Sequence, residues 1–255
     1  MHGLEPKPMA APTHPRGRRV LPETLDELPP DDAHAIRSRR DLRRVNQVMG
    51  VRAIFLKALR GLAPRRAAAP KPIRILELGS GDGTLLLGVA RGLGAAWRPA
   101  ELTLLDRQDL VAPSTVQAYH ALGWDARSQV ADVFGWFDGA GASRRYDLIV
   151  ANLFLHHFED PELARLCRAI AAHADAAFAC EPRRAALARV GSRLIGALGV
   201  NAVTRQDAVL SVDAGFRDRE LTALWPQHDP AWRMREYAAG LFSHCLLAER
   251  VGGGP

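Results

Sequence analysis

A glycine-rich loop after the first strongly apolar segment is the clearest candidate for ligand binding. Residues 75–84 read ILELGSGDGT, so Gly79, Gly81 and Gly83 alternate with polar residues between a predicted strand and a predicted helix. Glycine permits positive φ and, lacking Cβ, lets a ligand lie directly against the backbone. The pattern therefore predicts a cradle for a small, nucleoside-like molecule.

The residues around this loop indicate which chemical group lies beside it. The dinucleotide fingerprint G-x-G-x-x-G requires glycine where this chain has Thr84, and that fingerprint binds a pyrophosphate at a helix N-terminus. Glu77 precedes the first glycine by two residues, and a carboxylate repels phosphate but attracts an ammonium group. The loop therefore favours a ligand with a cationic group.

A second acid ends the next apolar segment of the chain. Residues 101–106 read ELTLLD, which predicts a strand that ends at Asp106. A carboxylate in that position can accept hydrogen bonds from both hydroxyls of a ribose. The two acids together favour a nucleoside cofactor that carries an ammonium group.

These segments belong to a set of four, and with them the chain resembles the class I S-adenosylmethionine-dependent methyltransferases. ILELGSGDG is similar to the first motif of that family, LTLLD to the second, ADVF to the third and YDLIVANLFLHHF to the fourth, in the expected order. The resemblance implies S-adenosylmethionine as the cofactor. It also implies an α/β fold that is Rossmann-like and doubly wound, with a mostly parallel sheet of seven strands whose last strand is antiparallel.

The resemblance also implies roles for single residues. Glu77 would hold the ammonium group of the cofactor, Asp106 its ribose hydroxyls, and Asn152 would lie beside the sulfonium end. Asp132 and the backbone of Val133 would recognise the adenine edge. The implied cofactor-binding set is Glu77, Gly79, Ser80, Gly81, Asp82, Gly83, Asp106, Arg107, Asp132, Val133 and Asn152.

Structural explanations remain open for each of these residues. The glycines fit a tight turn, Asp106 fits a helix N-cap and Asp132 fits a solvated loop. Taken together, however, acids or amides fall at several successive strand ends. Ligands of open α/β sheets bind outside the carboxyl ends of the strands, so the set as a whole favours a binding site.

Two adjacent histidines are the candidate catalytic residues. Transfer of a methyl group needs in-line placement and, for most acceptors, removal of one proton. His156 and His157 follow the fourth predicted strand, and the pKa of histidine lies close to working pH, so either could act as the base. Adjacent residues on a helix point about 100° apart, and no third ligand stands at a fixed spacing. No metal site is therefore predicted.

The residues near the fourth motif narrow the class of acceptor. Base methylases of the family typically carry Pro-Pro-Tyr or Pro-Pro-Trp where this chain has NLFL after Ala151, and the glutamate pair of protein-arginine methylases is not matched. A small organic acceptor, anionic or aromatic, is therefore expected rather than nucleic acid. Phe154, Phe158, Phe178 and Trp225 are candidates for an apolar pocket, and Glu181 with Arg183 and Arg184 for its polar lining.

The chain divides into three predicted regions. Residues 1–20 are rich in proline and lack an apolar pattern, which predicts a disordered tail. Residues 21–65 predict a helical arm or lid, and residues 66–255 the cofactor-binding domain. The arm carries a basic cluster, Arg37, Arg39, Arg40, Arg43 and Arg44, and the chain has a net charge of +6. An anionic partner is compatible with this charge, although charge runs commonly form solvated helix faces.

Composition is that of a globular protein, and it leaves two other function classes open. The chain has 255 residues, and 47% of them are hydrophobic. It has no long apolar run, so no membrane span is expected, and its three cysteines are scattered, so no disulfide framework is expected. A cytoplasmic location is therefore predicted. An NAD(P)-dependent oxidoreductase would share the sheet and the ribose acid. A non-catalytic methyltransferase-like module that binds RNA or protein through the arginines is the third possibility. The oligomeric state is not predicted.

Overall fold

The computed structural model describes residues 17–62, 71–195, 199–226 and 232–251. Its centre is a seven-stranded sheet with the strand order β3-β2-β1-β4-β5-β7-β6. The strands are β1 (Ile73–Leu78), β2 (Ala100–Asp106), β3 (Trp124–Val130), β4 (Leu148–Asn152), β5 (Ala176–Pro182), β6 (Trp232–Ala239) and β7 (Ser243–Arg250).

Strand directions confirm the expected fold. Strands β1 to β5 run parallel, and β7 lies antiparallel between β5 and β6. The chain leaves β1 towards β2 on one side and returns to β4 on the other, so the strand order reverses beside β1. In open α/β sheets this reversal leaves a crevice at the carboxyl ends of the strands, where ligands bind.

Helices cover both faces of the sheet, as a parallel sheet requires. After the first strand come α4 (Thr84–Leu93), α5 (Pro113–His120), α6 (Val133–Asp138), α7 (Asp160–His173), α8 (Ala186–Leu194), α9 (Ala202–Ala214) and α10 (Glu220–Leu224). The sequence predicts α4 and α7 with the same bounds. Asp132 and Asn201 are the N-caps of α6 and α9, and each accepts a backbone N–H of the first turn.

Two apolar cores fill the space between these helices and the sheet. Phe178 and Trp225, which the sequence offers as pocket residues, belong to these cores and border a small apolar cavity there. Phe178 packs edge-on against Phe55 with 4.8 Å between ring centroids, and Trp225 packs against Trp232 at 5.1 Å. Both are almost fully buried, because large aromatic rings in central segments contribute most by leaving water.

The N-terminal segment forms three helices, α1 (Thr24–Glu27), α2 (Ala33–Val48) and α3 (Val51–Arg60). The short α1 is not predicted from the sequence. The next helix, α2, begins after its N-cap Asp32, whose side chain accepts the N–H groups of His34 and Ala35. The third, α3, packs into the core through Val51, Phe55 and Leu59, although the sequence assigns it to the arm.

Residues 17–20 are attached to the domain, which differs from the predicted tail. Arg18 donates to the backbone oxygens of His156, Phe158 and Ala214, and its guanidinium lies over the ring of Phe216. Residues 1–16 of the predicted tail, and the predicted boundary at residue 65, lie outside the described residues. Within the described ranges, no helix combines the length and the apolar character that a membrane crossing needs.

Candidate active site

The carboxyl end of β1 carries a buried acid. Glu77 is 3% exposed, and its Oε2 has no hydrogen-bond partner among the described residues. Burial raises the pKa of Glu77 well above its ordinary value, and the negative charges of Asp82 and Asp106 raise it further. An unpaired carboxyl group in this position is costly for the free protein and suited to receive a cation.

The glycine loop follows this acid, and all three glycines have positive φ: 63° at Gly79, 54° at Gly81 and 70° at Gly83. A Cβ at Gly79 would come within 2.4 Å of the Phe154 ring, and one at Gly83 within 3.2 Å of Leu104. At Gly81 it would meet no described atom within 4 Å. The sequence expects all three glycines to face the ligand, but of the three only Gly81 borders open space.

Asp106 stands at the end of β2 and faces the loop. Its Oδ2 accepts the N–H of Gly81 at 2.8 Å, and its Oδ1 accepts that of Gln108 at 3.0 Å. Ser80 is buried, and its hydroxyl is unpartnered in the described part of the chain. Asp82 is held by Thr84 and by an ion pair with Arg43 of α2.

The remaining predicted cofactor residues stand at the ends of β2, β3 and β4. Asp132 is exposed and caps α6, accepting the N–H groups of Phe134 and Gly135 through Oδ1. Val133 is buried, and Arg107 is exposed. Asn152 ends β4, and its buried Oδ1 lacks a partner within the described ranges. The structure thus brings the predicted set to the carboxyl edge of one sheet.

His156 is buried in a clamp of two carboxylates. Its Nδ1 lies 2.8 Å from Glu181 Oε2, and its Nε2 lies 3.3 Å from Glu23 Oε1. Burial alone would lower the pKa of His156, but the hydrogen bonds to Glu181 and Glu23 outweigh it and raise the pKa to about 9. Both ring nitrogens of His156 are hydrogen-bonded, so His156 can act as a base only after its hydrogen bond to Glu23 is broken.

His157 lies beside this clamp and is more accessible. Its side chain is 25% exposed, and its Nδ1 lies 3.1 Å from Asp26 Oδ2. The rings of His156 and His157 are 4.2 Å apart between centroids. Both belong to a single 3₁₀ turn, 155–157, that follows β4 directly.

Sequence reasoning misses the carboxylates of Glu23 and Asp26 in this site and mistakes the surroundings of Glu181. Glu181 is fully buried in β5, and its Oε1 accepts the N–H groups of Phe154 and Leu155. It therefore fixes the turn after β4 rather than lining an open pocket. Glu23 stands 133 positions before His156, and no local spacing connects the two.

In the structure the arm comprises residues 17–49, because α3 belongs to the core, and it lies over the carboxyl ends of three strands. Glu23 reaches the turn after β4, the carbonyl of Leu28 accepts from Gln108 after β2, and Arg43 pairs with Asp82 after β1. Between the arm and these loops lies a groove of about 360 Å³. Its lining includes Pro30, Ile36, Arg39, Arg40, Asp82 and Leu110.

The chain is similar to solved structures of methyltransferases. Magnesium protoporphyrin IX methyltransferase from Synechocystis PCC 6803, solved with bound S-adenosylhomocysteine, is 14% identical, and the match covers 86% of this chain and 100% of that protein with a TM-score of 0.52. An O-methyltransferase family protein from Burkholderia thailandensis is 16% identical over 80% of this chain, with a TM-score of 0.47. The chain spans 60% of the length of that protein. No curated protein sequence matches the chain.

The fold and the site define a Rossmann-like α/β protein with a nucleoside-binding edge. A family model described as a methyltransferase domain matches residues 51–198, more than half of the chain. The chain therefore belongs to the S-adenosylmethionine-dependent methyltransferases, whose cofactor is S-adenosylmethionine. The unpartnered oxygens of Glu77 and Asn152 and the open space at Gly81 fit a cofactor with an ammonium group and a sulfonium end.

Proposed function

We propose that this protein is a methyltransferase that moves a methyl group from S-adenosylmethionine to an O, C or N atom of a small organic metabolite by in-line displacement. The observation that carries the proposal is the buried, unpartnered carboxyl group of Glu77 beside the open backbone of Gly81. A pyrophosphate would be repelled there, whereas an ammonium group would satisfy the free oxygen. This is why an NAD(P)-dependent oxidoreductase is the weaker interpretation.

Different residues of the site would bind different parts of the cofactor. Glu77 would accept hydrogen bonds from the ammonium group, and Asp106 with Arg107 would bind at the ribose. Asp132 and the Val133 backbone would face the adenine edge. Asn152 would orient the sulfonium end, and the loop of Gly79, Ser80, Gly81, Asp82 and Gly83 would lie under the methionine part. The bound cofactor supplies an electrophilic methyl group, so the protein has chiefly to position the acceptor.

The acceptor would lie on the side of the turn after β4, beneath the arm. His157 is partly exposed there and is better placed than His156 to take a proton from an acceptor hydroxyl. Phe154 and Phe158 are partly exposed at the same edge, with ring centroids 5.2 Å apart, and offer apolar surface. The arm would exclude water when it is closed, which protects the transferring group.

The arginines of the arm would contact an anionic or aromatic acceptor. Arg39 and Arg40 line the groove together with Arg43, and these three cations face the carboxylates of Asp31, Asp82 and Asp109, so single guanidinium groups rather than the net charge would make the contact. Burial lowers the pKa of Arg39, although the carboxylates of Asp82 and Asp106 oppose this. Guanidinium groups bind carboxylates in bidentate fashion and stack on aromatic faces. A small molecule of that kind, in a cytoplasmic setting, is the substrate class we propose.

Calorimetry with three ligands tests the proposal. S-adenosylhomocysteine and S-adenosylmethionine are expected to bind the purified full-length protein, and NADH is not. Binding of NADH without binding of S-adenosylhomocysteine would instead favour the oxidoreductase.

Incubation with isotopically labelled S-adenosylmethionine and a metabolite extract would then identify the acceptor by its label. Binding of the cofactor without any labelled product, from metabolites, protein or RNA, would favour a non-catalytic module.

A further inference from the structure

Three side chains from the arm and from the turn after β4 have the composition of a cation site. Glu23, His156 and His157 each bring one donor atom to within 4.8 Å of the other two. Two imidazole nitrogens and one carboxylate oxygen are ligands that zinc and similar divalent metals prefer. We propose that the chain binds one divalent transition-metal ion between Glu23, His156 and His157.

The distances suit such an ion. Zinc binds nitrogen and oxygen at about 2.0–2.2 Å, which places two ligand atoms of a tetrahedral site roughly 3.3 Å apart. His156 Nε2 and Glu23 Oε1 are separated by 3.3 Å. The three donor atoms lie within 4.8 Å of one another, which is wider than this distance, so ion binding would require the partly exposed side chain of His157 to move closer to the other two ligands.

Glu181 provides the outer support that metal-binding histidines ordinarily have. Its Oε2 lies 2.8 Å from His156 Nδ1, which leaves Nε2 to face Glu23. Its other oxygen is fixed by the N–H groups of Phe154 and Leu155. A carboxylate that accepts the second N–H of a ligating imidazole sets the tautomer and the ring orientation.

Local charge also favours a cation. The carboxylates of Glu23, Asp26 and Glu181 stand around the two imidazoles. These three carboxylates concentrate negative charge, and a bound divalent ion would offset most of it. The sequence predicts no metal site because no third ligand stands near the histidines, and the fold supplies that ligand from the arm.

The proposed ion would link the arm to the domain, because Glu23 belongs to the arm and the histidines belong to the turn after β4. With the ion bound, His157 is a ligand and cannot also take the acceptor's proton, so the base role proposed above belongs to the metal-free protein. The link between the arm and the domain does not depend on the acceptor or on the proposed reaction. It gives a readout other than activity, since a bound ion should protect the arm from hydrogen exchange and raise the melting temperature. An ion pair between protonated His156 and the two carboxylates is the alternative explanation of the same contacts.

The test begins with the chelator-treated full-length protein and zinc chloride. One zinc per chain is expected to remain after gel filtration, with calorimetric saturation at the same ratio. Cobalt(II) should give the visible absorption of a four-coordinate site. Absence of retained zinc in the folded wild type would overturn the proposal and leave the ion pair as the function of the cluster.

Variants locate the ion. Glu23→Gln keeps the size of the side chain and should weaken zinc binding more than about tenfold, as should His157→Gln. Glu27→Gln and His34→Gln change exposed residues of the same arm and serve as matched controls with unaltered zinc binding. Equal zinc affinity in Glu23→Gln, His157→Gln and the wild type would place the metal elsewhere and contradict the assignment. Because His157 is partly exposed, its variant remains informative if Glu23→Gln fails to fold.

Discussion

At the scale of single residues, the two acids at the ends of β1 and β2 differ in their effect on the stability of the free protein. Glu77 is buried without a partner in the described structure, so it opposes folding of the free protein whenever it is ionised. Asp106 is satisfied by the N–H groups of Gly81 and Gln108. The first is therefore held at a cost to stability, which fits its proposed role in cofactor binding, and the second supports the glycine loop.

Replacement of Glu77 by glutamine should stabilise the free protein and weaken cofactor binding. The variant loses a charge-assisted hydrogen bond of about 1.5–3 kcal/mol, so the Kd for S-adenosylhomocysteine should rise roughly tenfold to a hundredfold. Calorimetry measures this change. Glu101→Gln, at an exposed position of β2, is the matched control and should bind normally.

The stability of the same variant should depend on pH in a defined direction. The pKa of Glu77 is raised in the folded state, so the folded chain holds a proton that the unfolded chain has lost. Wild-type stability therefore falls as pH rises from about 4.5, the ordinary pKa, through the folded pKa, and Glu77→Gln lacks this contribution. Thermal unfolding from pH 5 to 8 should show a widening gap in favour of the variant, and parallel curves would contradict the assignment.

Replacement of Asp106 by alanine should weaken cofactor binding by about 1–3 kcal/mol, because ribose hydroxyls and the Gly81 N–H lose their acceptor. Equilibrium binding of S-adenosylhomocysteine measures the loss. Asp125→Ala alters an exposed acid of β3 and should leave binding unchanged. Unchanged affinity in a folded Asp106→Ala protein would show that the ribose binds elsewhere.

At the scale of elements, the candidate site lies at the carboxyl ends of the strands. The three glycines of the loop after β1 are required there for different reasons. All three require positive φ, but Phe154 occupies the space beside Gly79, whereas Gly81 faces a volume without described atoms. The same residue type thus meets a packing requirement at one position and leaves room for a ligand at another.

Two alanine substitutions separate these requirements. Both impose about 1–2 kcal/mol of backbone strain. Gly79→Ala also forces Phe154 to move, so its melting temperature should fall further than that of Gly81→Ala. Gly81→Ala should instead lose more S-adenosylhomocysteine affinity for a given loss of stability. The opposite ranking, measured by thermal unfolding and calorimetry, would mean that the ligand does not approach the loop at Gly81.

Contiguous patterns made most of the fold predictable, whereas the cofactor-binding roles that the family motifs imply stay predictions. The apolar runs that end in an acid or amide predict β1, β2 and β4, and family motifs predict the roles of Glu77, Asp106 and Asn152. The cluster of Glu23, His156 and Glu181 was not predictable, because its members are distant in sequence and no period connects them. The sequence did not decide whether Phe178 and Trp225 lie in the core or at a substrate pocket, because an aromatic residue has the same sequence signature in both places.

At the scale of the whole molecule, Asn201 is one of the residues that attach the arm to the domain, and it makes several hydrogen bonds to α2. Its side-chain nitrogen donates to the hydroxyl of Ser38 and the carbonyl of His34, and its N–H donates to the buried carboxylate of Asp41. Its side-chain oxygen caps α9 through the N–H of Thr204. One residue thus joins α2 to α9.

Replacement of Asn201 by alanine should loosen the arm. The lost cap alone costs about 0.5–2 kcal/mol, and the lost bonds to α2 add to that. Hydrogen exchange within residues 33–48 should accelerate in the variant. Asp132→Ala removes the cap of α6 without touching the arm, so it should lower stability and leave exchange in 33–48 unaltered. Equal exchange in both variants would show that the arm is held by other contacts.

The position of the arm over the loops after β1, β2 and β4 has a kinetic consequence. With the acceptor placed beneath the arm as proposed, one segment covers both the cofactor and the acceptor, so both products would leave past that same segment. We expect release rather than chemistry to limit the rate, and turnover to slow in proportion to solvent viscosity when sucrose is added. An enzyme with separate exits for its two products would not show that proportionality.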